Sequence, residues 1–362
     1  MATTNLDHAN LSAVSDGGTV NEDVVQKIFD ISPVDAPFTN LAGTMTSGNQ
    51  RKEWIREDLA AANPQNKVVD GSDASGNDTR TGERLANFHQ IHSKIIRVSD
   101  RAQDADTVGG DELVKQIMKR GREIRLDLEA ALTSRNAAIE DDGATVEGQL
   151  AGAATWIGAL DSSTNSFRGV GGADAVLSGA AGIGGAPTTA PTAGTKRALS
   201  EADVKAAISA AYMEGGNPTV MMSTPQAITL FSDYLFTSSA RVATLQSDAP
   251  QSNRTNNASG GGAATGGITA QGSVNVYASN FATLSLVPNR FMPEVAAGVS
   301  DVLILDPTTW SCSALHAWTV KELARTGLAD NRQLSGDYTL VCENPEANAI
   351  VADVDTSLAA TA

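Results

Sequence analysis

The sequence predicts a mixed α+β fold, and three observations carry that prediction. Residues 111–138 repeat apolar or small side chains at helical spacing. Residues 50–59 and 88–98 read as strands on either side of a polar stretch that cannot bury a core. Residues 274–354 then alternate strands with turns, without the regular βαβ order of a parallel sheet.

The helical stretch places Leu113, Val114, Ile117, Met118, Gly121, Ile124, Leu128, Ala131 and Leu132 on one stripe. Asp111 stands where an N-cap belongs, directly after Gly109-Gly110. Lys119 with Glu123, and Arg125 with Glu129, are opposite charges four apart, expected to meet on the solvated face. Such a helix would be about 40 Å long, a strut across an extended subunit.

Length and composition set limits. The chain has 362 residues, 41% hydrophobic and 19% charged, enough for a real core in one large or two ordinary domains. The net charge of −16 argues against a protein that grips nucleic acid by neutralising phosphates. It does not argue against a container that must not hold its contents tightly. No apolar run reaches the length of a membrane span, and the first sixteen residues lack the basic start and apolar core of a signal peptide. Cys312 and Cys342 have no CxxC spacing and are expected reduced and buried.

In chain order, residues 1–20 read as an arm. Asn21 caps a short helix, 22–30, with Val24, Val25, Ile28 and Phe29 on its apolar face. Pro33 and Pro37 then favour an extended segment. Trp54 and Ile55 centre the first strand, and an isoleucine-rich run from Phe88 to Val98 forms the second. Residues 60–84 between them form a polar tip. An isolated two-stranded ribbon is marginal in water, so this arm needs a neighbour to lie on.

After the long helix, Trp156 and Ile157 anchor residues 149–160. Residues 161–198 are low in complexity and read as a surface loop. Their glycines lack the strand, G-x-G-x-x-G and helix order of a dinucleotide site. Ser200 caps a helix with Val204, Ala207, Ile208 and Ala211 inward, and Asp203 completes a variant capping box. Residues 218–223 read as a buried strand. Thr224-Pro225 opens a helix to about Leu235, and residues 246–267 form another polar loop. Strands follow at 274–279, 284–288, 302–306, in the run from Trp310, and at 337–354.

Enzyme chemistry has no motif here: no HExxH, P-loop, G-x-S-x-G or EF-hand pattern is present. His89 and His92 are three apart, which puts them on opposite faces of a regular strand. The clusters Asp104-Ala105-Asp106 and Glu140-Asp141-Asp142 read as solvated turns.

The order of these pieces resembles a family. The residues that carry the resemblance are Ile31-Ser32-Pro33, Ala36-Pro37-Phe38, Trp54 with Asp58-Leu59, and Asn87 with Gln90-Ile91. Val98-Ser99, Arg125-Leu126-Asp127-Leu128-Glu129, Asp337-Tyr338-Thr339-Leu340 and Asn344-Pro345-Glu346-Ala347 complete the set. Together they resemble tailed-phage major capsid proteins of the Hong Kong 97 type, in the branch of SU-ten-like podovirus head proteins. The resemblance implies a Hong Kong 97-like capsid fold. Its parts would be an N-terminal arm (1–49), an extended E-loop hairpin (50–100) and a peripheral domain (101–199) holding the spine helix. An axial domain (200–290) and C-terminal strands returning to the peripheral domain (291–362) would follow.

The same resemblance implies a structural protein without cofactor or metal. It would self-assemble into pentamers and hexamers of an icosahedral phage head that encloses double-stranded DNA without reading its sequence. A separate scaffolding protein, a portal protein and, as an open case, a decoration protein would be its partners, with no membrane involved. Assembly would take place in the host cytoplasm and the product would be the virion capsid. Only about fifty residues precede the E-loop, hence the expectation of a separate scaffold. The side chains expected at subunit contacts are Trp54, Ile55, Lys67, Phe88, Ile91, Arg120 and Arg125. Some relatives join an E-loop lysine to an asparagine, and Lys67 with Asn344 and Glu346 is the matching set here, although the expectation is that no cross-link forms. The competing readings are an encapsulin-like nanocompartment shell, a hydrolase with an unrecognised site, and a decoration or tail protein.

Overall fold

The computed structural model describes residues 35–57, 59–73, 79, 81–105, 111–160, 164–179, 185–237, 275–325 and 327–361. The expected helix at 22–30 and the polar loop at 246–267 lie outside the described residues.

Fourteen strands are described: β1 (Gly43–Thr46), β2 (Arg51–Arg56), β3 (Glu83–Phe88), β4 (Gln90–Ser99), β5 (Ser166–Phe167), β6 (Val176–Leu177) and β7 (Pro187–Thr189), followed by β8 (Val220–Ser223), β9 (Val276–Ala278), β10 (Thr283–Pro288), β11 (Val299–Leu305), β12 (Trp310–Glu322), β13 (Ala329–Cys342) and β14 (Ala349–Asp355). The main sheet has the order β5-β14-β11-β8-β10-β9, and a second sheet has the order β1-β12-β13-β4. β2 and β3 form an antiparallel ribbon in register from Arg51↔Phe88 to Arg56↔Glu83.

Every residue of β11 and β14 is buried. That is the signature of strands covered on both faces, and it explains their near-continuous apolar sequence. Successive side chains alternate between two cores. Leu303, Leu305, Ile350 and Ala352 join a cluster with Phe38, Leu128, Leu132, Trp156 and Trp310. Val302, Ile304, Val351 and Val354 join a cluster with Val204, Ile208, Phe231 and Tyr277. The helices Glu201–Met213 and Pro225–Thr237 cover that second face.

The expected boundary at residue 290 does not separate the sheets. β11 and β14 pair with each other and β11 with β8, while β12 and β13 belong to the second sheet. The reason is the apolar character of both faces of β11, which only a central position in a sheet can bury.

The long helix spans Glu112–Thr133, shorter than expected. Asp111 caps it, its Oδ1 accepting from Leu113 N at 2.9 Å and Val114 N at 3.3 Å. It stops because Ser134 turns its hydroxyl back onto the Ala131 carbonyl at 2.8 Å. Arg135 is then drawn away, donating to both oxygens of Asp301 at 2.7 and 2.6 Å and to Asp353 at 2.9 Å.

Glu129 departs most from the amphipathic reading. It is fully buried and makes no pair with Arg125. Its carboxylate accepts from Phe38 N at 2.7 Å, Thr39 N at 2.8 Å, Thr39 Oγ1 at 2.6 Å and Asn289 Nδ2 at 2.7 Å. Two of these donors are the free backbone amides of the short helix Pro37–Leu41, which no side chain of its own N-cap satisfies. Pro37 therefore begins a helix, where an extended segment was expected, because its fixed φ suits the first helical position.

The low-complexity stretch is not wholly a surface loop. Ala175, Leu177 and Ala186 are in the core. Its backbone is held by Asp353, whose Oδ2 accepts from Gly169 N at 3.0 Å and Gly194 N at 2.9 Å. A Cβ on Gly194 would meet the Gly169 carbonyl oxygen at 2.1 Å, so this crossing of two backbones admits only glycine. Asp353 itself has φ +60°, which an Asp or Asn tolerates better than most residues. Two capping expectations shift likewise. Ser200 accepts from Ala202 N, but Asp203 pairs with Arg197 at 2.9 Å, and the Thr224 hydroxyl donates to Ser300 Oγ at 2.9 Å.

Three outcomes follow. Glu129→Leu strands three donors of the short helix and Asn289, and is expected to cost about 3–5 kcal/mol in urea unfolding. Gly194→Ala should cost about 2–3 kcal/mol in the same measurement, because backbone and not a flexible side chain must yield. Burial opposes the charge of Asp353, but Arg135 and the amides of Gly194 and Gly169 together hold its carboxyl below the ordinary range. Ionised Asp353 therefore stabilises the fold above pH about 4, and that contribution is lost as pH falls through the lower folded value. Asp353→Asn should flatten the acid limb of stability against pH, read by thermal melts from pH 2 to 7.

Candidate functional site

The described residues fall into two compact units. One comprises Lys94–Arg122 and Val320–Leu334, and the other Asp35–Ser93, Glu123–Thr319 and Ser335–Ala362. In the second unit, the β2–β3 ribbon is the feature that needs explaining.

Its base is built firmly. Asn87 on β3 donates to the carbonyls of Leu340 at 2.7 Å and Ala151 at 3.2 Å and accepts from Ala151 N at 3.0 Å. Arg56 on β2 pairs with the Glu346 carboxylate, both largely buried. Asn344 in turn accepts from Glu346 N at 3.2 Å, ordering the Pro345–Ala347 turn. The Gly185 carbonyl accepts from Ala86 N at 2.9 Å and ties down the outer side of β3.

Every described residue from Leu59 to Asp73 is exposed. Leu59 is 96% exposed, Val68 85% and Val69 79%. Apolar groups held this far into solvent lose their hydrophobic stabilisation, at roughly 25 cal/mol per Å². They are positioned to regain it only against another surface.

The side chains expected at subunit contacts divide accordingly. Ile55 and Ile91, each 64% exposed, and Lys67 in the tip face solvent. Trp54 is half-buried and packs on Trp156, with ring centroids 5.2 Å apart. Phe88 is buried, with the Arg51 guanidinium 5.6 Å from its ring centre. Trp54 and Phe88 thus pack within their own unit from opposite faces of the ribbon, since Phe88 stands across from Arg51 and Trp54 across from Leu85. Arg120 is half-buried, and Arg125 donates to Asn40 Oδ1 at 2.5 Å. The tip valines were missed in the sequence, although Val68-Val69 was the one β-branched pair in a polar run and could have signalled them.

His89 and His92 are both buried. The strand breaks at His89, between β3 and β4, so alternation does not run through it. His89 Nδ1 lies 2.8 Å from the Gln50 carbonyl oxygen, and His92 stands edge-on to Trp318 with centroids 6.2 Å apart. Burial pushes both imidazoles below their ordinary pKa. It pushes the nearby Asp337 carboxyl up. Among the described residues no three His, Cys, Asp or Glu side chains form a group that could hold a metal ion, and no helix is long and apolar enough to cross a membrane. Cys312 and Cys342 are free and buried, and burial raises the Cys312 thiol to about 12, far from nucleophilic use.

Solved structures of known proteins share this fold. The capsid of a native GTA particle superposes with a TM-score of 0.55 at 12% identity, covering 96% of this chain and 98% of that one. The capsid asymmetric unit of cyanophage A-1(L) gives 0.55 at 13% identity, covering 96% and 99%. The encapsulin of the holo-SrpI complex from Synechococcus elongatus gives 0.50 at 11% identity, covering 96% and 97%. These likenesses show the fold, an α+β fold of the Hong Kong 97-like capsid class. A curated major capsid protein of Escherichia phage Phieco32 is 35% identical over 108 residues, which is 30% of this chain and 31% of that relative's length. The family described as SU10 major capsid protein, a structural rather than enzymatic family, matches residues 2–355. With nearly the whole length accounted for, this chain belongs to the SU10 major capsid protein family.

Proposed function

We propose that this chain is the structural subunit of a phage head and assembles with copies of itself into pentamers and hexamers of an icosahedral shell around double-stranded DNA. The observation that carries the reading is the ribbon: a firm base and a tip of wholly exposed Leu59, Val68 and Val69. Residues 50–100 act as the E-loop, lying over a neighbouring subunit and turning a marginal ribbon into an intermolecular brace. Ile55, Lys67 and Ile91 lie on the contacting side. Glu112–Thr133 acts as the spine helix within a peripheral domain, and residues 200–290 supply the axial contacts. Head-to-tail contacts of this kind close into rings when their rotation closes.

The overall charge of −16 keeps enclosed DNA from sticking to the wall. A separate scaffolding protein and a portal protein complete the assembly, which takes place in the host cytoplasm. No covalent cross-link joins Lys67 to Asn344. The Glu346 carboxylate that would assist is held by Arg56, and Asn344 is engaged in its turn. A ladder of subunit multiples on a denaturing gel of intact particles would overturn this last point.

Size-exclusion chromatography with negative-stain microscopy tests the central reading. Closed shells, or rings of five and six, are expected, and a persistent monomer or dimer with scaffold supplied would sink it. Val68→Asp combined with Val69→Asp should abolish shells while changing urea stability by less than about 1 kcal/mol, since both sites are exposed in the subunit.

A further inference from the structure

Charge is distributed unevenly along this acidic chain. The segments Lys94–Arg122 and Val320–Leu334 hold ten Lys and Arg against seven Asp and Glu, a balance of +3. With −16 for the whole chain, the remaining residues carry −19. Arg97, Arg101, Lys119 and Lys321 are exposed and form no ion pair among the described residues. The same unit exposes Ile95, Val114, Met118, Val320 and Leu328. None of the helix residues Glu112–Glu123 is buried, whereas Ile124, Leu128 and Leu132 further along are. The two segments thus expose apolar side chains beside these four cationic ones.

The complementary surface is the loop Ile139–Gln149. It carries Glu140, Asp141, Asp142 and Glu147, and the sequence has no Lys, Arg or His between Arg135 and Arg168. Ile139 and Val146 add exposed apolar groups. The loop is preformed. Ile139 and Gln149 exchange backbone hydrogen bonds at 3.0 Å, and Asp142 accepts from the amides of Ala144, Thr145 and Val146 at 2.9, 2.8 and 2.8 Å. A preformed loop loses little conformational entropy on docking.

We propose that the cationic, apolar surface of Lys94–Arg122 and Val320–Leu334 docks the acidic loop Ile139–Gln149 of a second copy of this chain. The pairing rests on the shell-forming reading above and assigns a contact within it. Opposite charges set the register of the contact and speed encounter, and the apolar residues supply the buried area.

A charge-swap series tests it. Arg97→Glu with Lys119→Glu, and separately Glu140→Lys with Glu147→Lys, should each lower shell yield at least about tenfold, since like charges facing one another are strongly unfavourable. Both pairs avoid Asp142, which holds the loop, and circular dichroism melts should match those of the unaltered chain. Combining all four substitutions should restore shells. Unaltered protein that assembles while neither pair reduces yield, or reduced yield that the combination does not rescue, would overturn this pairing alone. Failure of the unaltered protein to assemble would overturn the shell reading instead. Normal shells of the Arg97→Glu/Lys119→Glu protein that lose bound DNA would assign the cationic surface to nucleic acid and overturn the proposal.

Discussion

The buried carboxylate of Glu129 is the constraint on which the subunit's arrangement depends. An acidic side chain leaves water only when its oxygens find donors elsewhere, and here four are supplied from two places in the sequence. Two are backbone amides of the short helix after Pro37, one is the Thr39 hydroxyl, and one is the Asn289 amide just beyond β10. The long helix, the start of the described chain and the main sheet are thereby brought to one point. Hydrophobic burial alone would tolerate sliding among Leu128, Leu132 and their neighbours. A carboxylate with four directed bonds does not.

A second polar junction acts just past the end of the long helix. Arg135 bridges Asp301, on β11, and Asp353, on β14. Asp353 in turn holds the amides of Gly169 and Gly194. The two strands that are buried on both faces thus carry the acids that end the long helix and pin a glycine-rich excursion. This division of labour lets a chain with few aromatics build a specific core: apolar strands give the bulk of the burial, and a few satisfied polar groups give the register.

The outside follows the opposite logic. The ribbon's base is fixed by Asn87, Arg56 and Glu346, while its tip offers apolar side chains to solvent. A subunit of a shell needs both properties. Its elements must hold their geometry before assembly, and part of its stabilisation must remain unspent until a neighbour arrives. The uneven charge adds direction to that, because basic segments on an otherwise acidic chain attract the acidic loop of another copy.

The sequence by itself determined the long helix and its Asp111 cap, five of the six strands of the main sheet, the exposed tip and the α+β class. Each is written in local spacing or in residues whose conformational preference is strong. The capsid family was legible from the order of short motifs, several of which are the clamps at the ribbon's base. What the tertiary structure alone decided concerns partners distant in the chain. Spacing placed Glu129 opposite Arg125 on a wet surface, and only the donors of Phe38, Thr39 and Asn289 turned it inward. Composition made residues 161–198 a loop, and only Asp353 drew Gly169 and Gly194 into contact. Alternation assumed one regular strand through His89 and His92, and only the structure shows the break at His89 and the burial of both. Local periodicity specifies which face a side chain takes, but not whether a partner from elsewhere in the chain waits there, because that depends on long-range packing which no short window of sequence contains.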